Sequence, residues 1–166
     1  MSVPISGSAA FSPCGRYRYL LRRTWDQERA GVLFVMLNPS TADGVRDDPT
    51  IRRCVGFARS WGYGSLTVAN LFAFISTNPG ALMLYPERVG PENDTALRVA
   101  RHTANTIVVA WGAQGVHWPQ RAAEVVALLR GERLDRRALF CLGTTAADQP
   151  CHPLRLSRQT VLRRFA

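Results

Sequence analysis

The chain has 166 residues, 46% of them hydrophobic, and a formal net charge of +9 at pH 7. This composition excludes a disordered or fibrous chain and predicts one domain over residues 1–166 with a core of its own. No apolar run reaches the ~20 residues of a membrane span, and residues 1–19 lack the basic start and apolar core of a signal peptide. We therefore expect a cytoplasmic protein that does not enter a membrane. Residues 1–13 are small and contain proline and serine, which is compatible with disorder.

All 21 basic residues are arginine. Excess positive charge attracts polyanions, and arginine adds bidentate phosphate contacts and stacking on bases. The charge predicts DNA or a nucleotide as the partner, and we expect a monomer. The four cysteines are Cys14, Cys54, Cys141 and Cys151, without a Cys-x-x-Cys pair. The sequence therefore predicts reduced thiols, with Cys54 and Cys141 buried, and neither a metal nor another cofactor.

In the first half of the chain, residues 16–25 alternate roughly like an exposed strand, and residues 32–37 form an apolar run typical of a buried strand. A turn-like segment separates the two, which favours a hairpin. Asp48 precedes Pro49 in the pattern of a helix start, which predicts a helix over 49–61 that ends at Gly62.

In the second half, strand and helix patterns alternate. We predict strands over 65–72, 106–112 and 138–143, and helices over 91–103, 119–130 and 157–165. Alternation of this kind predicts a three-layer α/β/α fold. Its sheet would have four mostly parallel strands and an antiparallel N-terminal edge strand.

Polar side chains follow or end the apolar strands. They are Asn38 in LFVMLNPSTAD, Asn70 in SLTVANLF and His152 in CHPLRLS. In an open α/β sheet the carboxyl ends of the strands share one edge, where ligands bind, so these side chains are expected to converge. Each also has a structural explanation: a turn initiator for Asn38, a loop-backbone contact for Asn70 and a satisfied loop ring for His152.

The acidic cluster Asp43, Asp47 and Asp48 is compatible with Mg²⁺. Asp48 and Asp47, however, suit the start of the following helix, so we do not predict a metal site. Asp43 has no such explanation and lies in the same loop as Asn38.

The order of these motifs resembles that of the uracil-DNA glycosylase superfamily. The first motif of that superfamily ends a strand with Asn-Pro or Asp-Pro, which matches Asn38 and the proline after it. A later strand ends in an asparagine that reads the base, which matches Asn70. A further strand ends in a glycine, which matches Gly112. The last motif is His-Pro followed by a wedge residue, as at His152. Asn38 instead of aspartate makes the chain more similar to the mismatch-specific and thymine-DNA branches, and HPLRLS departs from the usual HPSPLS. The chain is still more similar to a bacterial family of unknown function that carries LNPSTAD, DDPTIRRC and a late HPL.

The resemblance implies a fold like that of the superfamily and roles for particular residues in hydrolysis of the N-glycosidic bond of a flipped base. Asn38 would position a water, Asp43 would assist it, and His152 would donate a hydrogen bond to the departing base. Asn70 would read the base and Phe72 would stack on it. The residues implied for phosphate binding are Ser40, Thr41, Ser157 and Arg158, and the implied wedge is Leu154 or Leu156, although core packing explains either leucine equally well.

Two other functions stay open. One is a non-catalytic module of the same fold that binds nucleic acid, a modified base or a nucleotide. The other is an enzyme acting on free nucleosides or nucleotides. Product formation, salt dependence of DNA binding and affinity for mononucleotides distinguish the three.

Overall fold

The computed structural model describes residues 5–166. In this range the chain forms seven strands: β1 Ser6–Phe11, β2 Arg18–Thr24, β3 Gly31–Met36, β4 Ser65–Asn70, β5 Thr106–Val109, β6 Leu139–Cys141 and β7 Arg163–Phe165. Over the same residues it forms four α-helices: α1 Pro49–Ser60, α2 Ala81–Leu84, α3 Asn93–Thr103 and α4 Pro119–Arg130. No helix among these is long and apolar enough to cross a membrane.

One mixed sheet contains all seven strands, in the order β1-β2-β4-β3-β5-β6-β7. Its central strands β4, β3, β5 and β6 run parallel, and β1, β2 and β7 are joined to their neighbours antiparallel. The α/β class is confirmed, whereas the prediction of a four-stranded sheet is wrong in the number of strands. Strands β1 and β7 were not predicted, because β1 is almost wholly exposed and β7 has only three residues. Neither segment shows the alternation of apolar and polar residues that indicates a strand.

Two hydrophobic clusters lie on opposite faces of the sheet, because successive residues of a strand point to opposite sides. Leu33 and Val35 of β3 join the cluster that contains α3 and α4, while Val32 and Phe34 join the cluster that contains α1. The helices therefore cover both faces, as expected for a parallel centre.

The predicted start of α1 is confirmed. The Asp48 side chain accepts a hydrogen bond from the backbone N–H of Ile51 at 2.9 Å, with Pro49 at the first helical position. The helix ends just before Gly62, whose φ is +84°. Cys54 and Cys141 are buried free thiols, also as predicted.

Three predictions about the chain ends and the hairpin are wrong. Strand β1 occupies Ser6–Phe11, so this part of the predicted disorder over 1–13 is ordered; residues 1–4 lie outside the described residues. The segment 157–165 is not a helix: it ends in β7, which supplies backbone partners to the edge of β6. Strand β2 does not pair with β3, because both sides of β3 are taken by β4 and β5; β2 pairs with β4 instead.

Candidate functional site

The carboxyl ends of β3, β4 and β5 lie next to one another. Met36, the last residue of β3, is in parallel register with Asn70, the last of β4, and the backbone N–H of Ala110 donates to the carbonyl of Val35 at 2.8 Å. The strand ends open onto a cavity of about 260 Å³. Four of the predicted site residues line it: Asn38, Ser40, Asn70 and His152. The expectation that Asn38, Asn70 and His152 share one cavity is therefore met.

Asn70 has a buried carboxamide without an internal partner. The residue is 1% exposed, and neither Nδ2 nor Oδ1 forms a hydrogen bond with any part of the chain that the structure describes. Its backbone, in contrast, is held firmly. Fully buried Asn93 of α3 donates from Nδ2 to the carbonyls of Asn70 and Leu71 at 3.0 and 3.2 Å, and Arg121 of α4 donates from Nε to the Leu71 carbonyl at 2.9 Å. The helices thus fix the end of β4 through its backbone and leave the carboxamide of Asn70, a residue that lines the cavity, unpaired.

Asn38 has its amide nitrogen occupied. Nδ2 donates to the carbonyls of Pro39 and Ser76 at 3.0 and 2.9 Å, which ties the loop after β3 to the loop after β4. The orientation of the amide leaves Oδ1 as the group for other partners. An amide oxygen accepts hydrogen bonds but takes no proton at neutral pH, so Asn38 can orient a water and cannot deprotonate it.

His152 is held at the end of β5 by a close backbone approach. The N–H of Gly112 donates to the carbonyl of Pro150 at 2.8 Å. Gly112 has a φ of +78°, and a Cβ at that position would lie 3.0 Å from the Cβ of His152. Only glycine fits this position without strain, which explains the glycine three residues after the end of β5.

The imidazole ring of His152 is neutral and can donate a hydrogen bond from Nε2. Its Nδ1 accepts a hydrogen bond from the backbone N–H of Leu154 at 3.3 Å, so the ring proton belongs on Nε2. Burial lowers the pKa of His152 below its usual 6.5, and the carboxylate of Asp48 opposes part of that change. At pH 7 the imidazole is therefore uncharged.

The cavity residues that were not predicted as site residues include Arg18, Asp48 and Trp111. Trp111 carries the same signal as Asn38, since it directly follows an apolar strand, and its Nε1 donates to Oε1 of Gln149 at 3.1 Å. Asp48 was assigned to helix capping alone, yet it also faces the cavity. Nothing in the sequence distinguishes Arg18 as a site residue, because it is one of several arginines in RYRYLLRR.

Asp43 and Phe72, predicted as a catalytic and a base-binding residue, lie outside the cavity wall. Oδ1 of Asp43 accepts hydrogen bonds from the backbone N–H groups of Val45 and Arg46 at 2.8 and 2.7 Å. These bonds lower the pKa of the Asp43 carboxyl, so the group stabilises its own loop and is a weak base. Phe72 is 2% exposed, and its ring packs edge-on against Trp118, with centroids 4.9 Å apart. Phe72 is therefore a core residue with no surface for a base to stack on.

The three aspartates of the acidic cluster each have a different partner in the structure. Asp47 forms an ion pair with Arg23 at 2.8 Å, Asp48 caps α1 and Asp43 holds its loop. Within residues 5–166 no three His, Cys, Asp or Glu side chains are arranged to hold a metal ion.

The residues implied for phosphate binding are divided between two places. Ser40 lines the cavity, while Thr41 is exposed beside it. Ser157 is exposed, and its Oγ accepts a hydrogen bond from the backbone N–H of Gln159 at 3.2 Å. Arg158 lies in a separate groove along α1, which it lines together with Arg52 and Arg53. This basic groove starts at Pro49, beside the residues of α1 that face the cavity.

The two wedge candidates differ in exposure. Leu154 follows His152 closely and is 42% exposed. Leu156 is half-buried against the cluster that contains α1, and its carbonyl accepts a hydrogen bond from Arg53. Leu154 is thus free to contact another molecule, whereas Leu156 packs on the core.

No curated protein and no solved structure matches the chain. A family model described as "Protein of unknown function (DUF1643)" matches residues 18–154, a range that includes Asn38, Asn70 and His152. Because this match covers well over half of the chain, the protein belongs to the family of unknown function DUF1643.

Proposed function

We propose that the cavity receives a flipped or modified nucleobase and that the protein hydrolyses the N-glycosidic bond of that base. One observation carries the proposal: Asn70 lines the cavity, is 1% exposed, and has a buried carboxamide without a partner for either polar atom among residues 5–166. A buried polar group without a partner costs about 1–3 kcal/mol. A ligand that pairs with the carboxamide would recover that energy.

The chemistry of Asn70 suits the edge of a base. Nδ2 donates and Oδ1 accepts, and the pair is complementary to a carbonyl next to an N–H, as in uracil, thymine, hypoxanthine or xanthine. Such a base must leave the helical stack to reach an enclosed site. Trp111 lines the same cavity, as Phe72 does not, and takes the place of Phe72 as the aromatic residue beside the base.

Hydrolysis needs a water aimed at the sugar carbon C1′. Oδ1 of Asn38 would orient that water. The carboxylate lining the cavity is Asp48, and only its Oδ1 is engaged within the described residues. We assign to Asp48 the base role that the sequence suggested for Asp43. The C1′–N bond breaks with its electron pair going to the base, the water oxygen bonds to C1′, and a water proton passes through Asp48 and solvent to the released base.

His152 would act on the departing base. Its Nε2–H donates a hydrogen bond to a base oxygen, and this bond strengthens as negative charge develops there. A neutral imidazole suffices for this role, in line with the lowered pKa of His152. The side chain stabilises charge in the transition state and does not itself need to give up its proton.

The surroundings of the cavity favour DNA as the source of the base. The basic groove of Arg52, Arg53 and Arg158 begins at Pro49, next in sequence to the cavity residues of α1, and the whole chain carries +9. Arginine-lined grooves bind backbone phosphates in a salt-dependent way. Exposed Leu154 is positioned near His152 to fill the gap left by the flipped base.

A single-turnover assay tests the proposal. Duplexes containing uracil, hypoxanthine, xanthine or mismatched thymine are incubated with excess protein, and abasic sites are counted. We expect cleavage of at least one of them, with Asn38→Ala and His152→Ala slower by about 100-fold or more. The matched controls are Asn105→Ala and His102→Ala, exposed residues outside the cavity wall, which should cleave at the wild-type rate. Failure of the wild type to cleave any duplex would sink the proposal.

A second candidate is a binding module without catalysis. It is favoured by the position of Asp43 outside the cavity wall and by the engagement of Asp48 in capping α1, which leave little general-base capacity. Such a protein would bind a base-containing duplex with a steep salt dependence, release no base and lose affinity in Asn70→Leu.

A further inference from the structure

Arg18 is a buried cation on the wall of the same cavity. It lies at the start of β2 and is 3% exposed. Its Nη1 donates to the carbonyl of Ala42 at 2.6 Å, while its buried Nε has no hydrogen-bond partner among residues 5–166. The guanidinium therefore has donors to spare beside Asn70 and His152, which line the cavity with it.

The other buried arginines form ion pairs, and Arg18 does not. Within the described part of the chain, Arg23, Arg101 and Arg121 are also under 10% exposed. Each forms an ion pair with an aspartate, at 2.6–2.8 Å. Arg18 takes part in none of the ion pairs formed within residues 5–166. Removal of a charge from water is costly unless a counter-charge compensates it. The presence of this cation in the cavity therefore lowers the stability of the fold.

The cation remains charged at neutral pH. Burial lowers the pKa of Arg18 to about 10, a change opposed in part by Asp48 and reinforced by the positive charge of Arg23. At pH 7 the guanidinium therefore attracts any anionic atom that enters, and it does so more strongly than at the surface because the site excludes much of the solvent.

We infer that Arg18 forms an anion subsite that, together with Asn70, binds a heterocyclic base in its anionic form, deprotonated at the nitrogen that carried the sugar. This deepens the proposed function and rests on it. As the C1′–N bond breaks, the electron pair and its negative charge move onto the base nitrogen that carried the sugar, and the charge spreads by conjugation to the carbonyl oxygens of the ring. Asn70 recognises the uncharged edge of the base, while Arg18 and His152 face the developing anion.

Binding of free pyrimidines tests the subsite without any catalysis. Calorimetric titrations at pH 7.5 compare 5-nitrouracil, which is anionic at this pH, with uracil and thymine, which are neutral; thymine controls for the bulk of the 5-substituent. We expect wild type to bind the anion at least tenfold more tightly than either neutral base. Arg18→Gln should lose that preference, and Arg18→Lys should keep part of it. Arg22→Gln, which removes an exposed charge from the same strand, should keep it in full.

Inorganic phosphate is the competing probe. If phosphate binds through Arg18 and displaces 5-nitrouracil at comparable concentrations, the subsite is one for phosphate and the inference is wrong. Equal affinity of wild type for neutral and anionic pyrimidines, no binding of 5-nitrouracil, or an unchanged preference in Arg18→Gln would each overturn it. A protein that prefers the anion through Arg18 but cleaves no duplex would retain the subsite and lose the glycosylase function.

Discussion

The two buried asparagines on neighbouring elements should respond to the same substitution with opposite signs. Asn70 and Asn93 are 1% and 0% exposed, but their side chains differ in use. The Asn70 carboxamide has no partner among residues 5–166, whereas Nδ2 of Asn93 donates to two carbonyls at the end of β4. Asn70→Leu replaces an unpaired polar group by an apolar one of similar shape, so the free energy of unfolding without ligand should rise by about 1–3 kcal/mol. For a chain of this size that is roughly 2–12 °C in Tm.

Asn93→Leu should lower the free energy of unfolding by about 1–3 kcal/mol, because a carbonyl at the end of β4 loses its buried donor. Urea unfolding followed by circular dichroism measures both variants against wild type, and a base-binding titration follows on each. We expect Asn70→Leu to be more stable and unable to bind. If Asn70→Leu is destabilised as much as Asn93→Leu, the side chain of Asn70 serves the fold rather than a ligand, and the reasoning fails.

Three further predictions concern the cavity rim. Gly112→Ala should lower the free energy of unfolding by about 1–2 kcal/mol, because of the positive φ at this position and the contact with His152. Gly56→Ala has open space on helix α1 and should raise the free energy of unfolding by about 0.5–1 kcal/mol. Equal effects of the two substitutions in thermal unfolding would contradict the close approach of Gly112 to His152. The pKa of His152 is lowered by burial, so the unfolded chain takes up its proton first, and stability should fall as pH drops through ~6.5 to the lower folded value. His152→Gln should lack this pH dependence when urea unfolding is measured across the same pH range. Asp48→Asn retains a good helix cap, so it should slow cleavage about tenfold or more with nearly unchanged stability. Asp43→Asn should leave the cleavage rate unchanged. The reverse pattern would assign the general-base role to Asp43 instead of Asp48.

The strand-end rule located much of the candidate site from sequence. Asn38 and Asn70 end neighbouring parallel strands, so the polar residue that follows or closes each apolar run had to reach the same edge of the sheet. His152 joined them because its segment binds back to the strand ended by Gly112. The apolar runs determined these positions locally, which is why they were predictable.

What sequence reasoning missed depends on contacts between distant segments. Arg18 is identified only by its missing counter-charge, which requires knowing that other buried arginines have one. Asp48 has two uses, and its capping pattern concealed the second. Phe72 follows β4 by only two residues, yet its ring packs against Trp118 in the core, because the chain direction after the strand sets which way a side chain points.

The most direct test of a base site at the strand ends is an NMR titration that follows the side-chain NH₂ resonances of Asn70. Asn70→Leu assigns them by their loss, and Asn105, exposed just before β5, provides an internal reference. Addition of uracil, hypoxanthine, xanthine or thymine should shift the Asn70 resonances saturably for at least one base and leave those of Asn105 in place. Unmoved Asn70 resonances with all four bases would contradict the account.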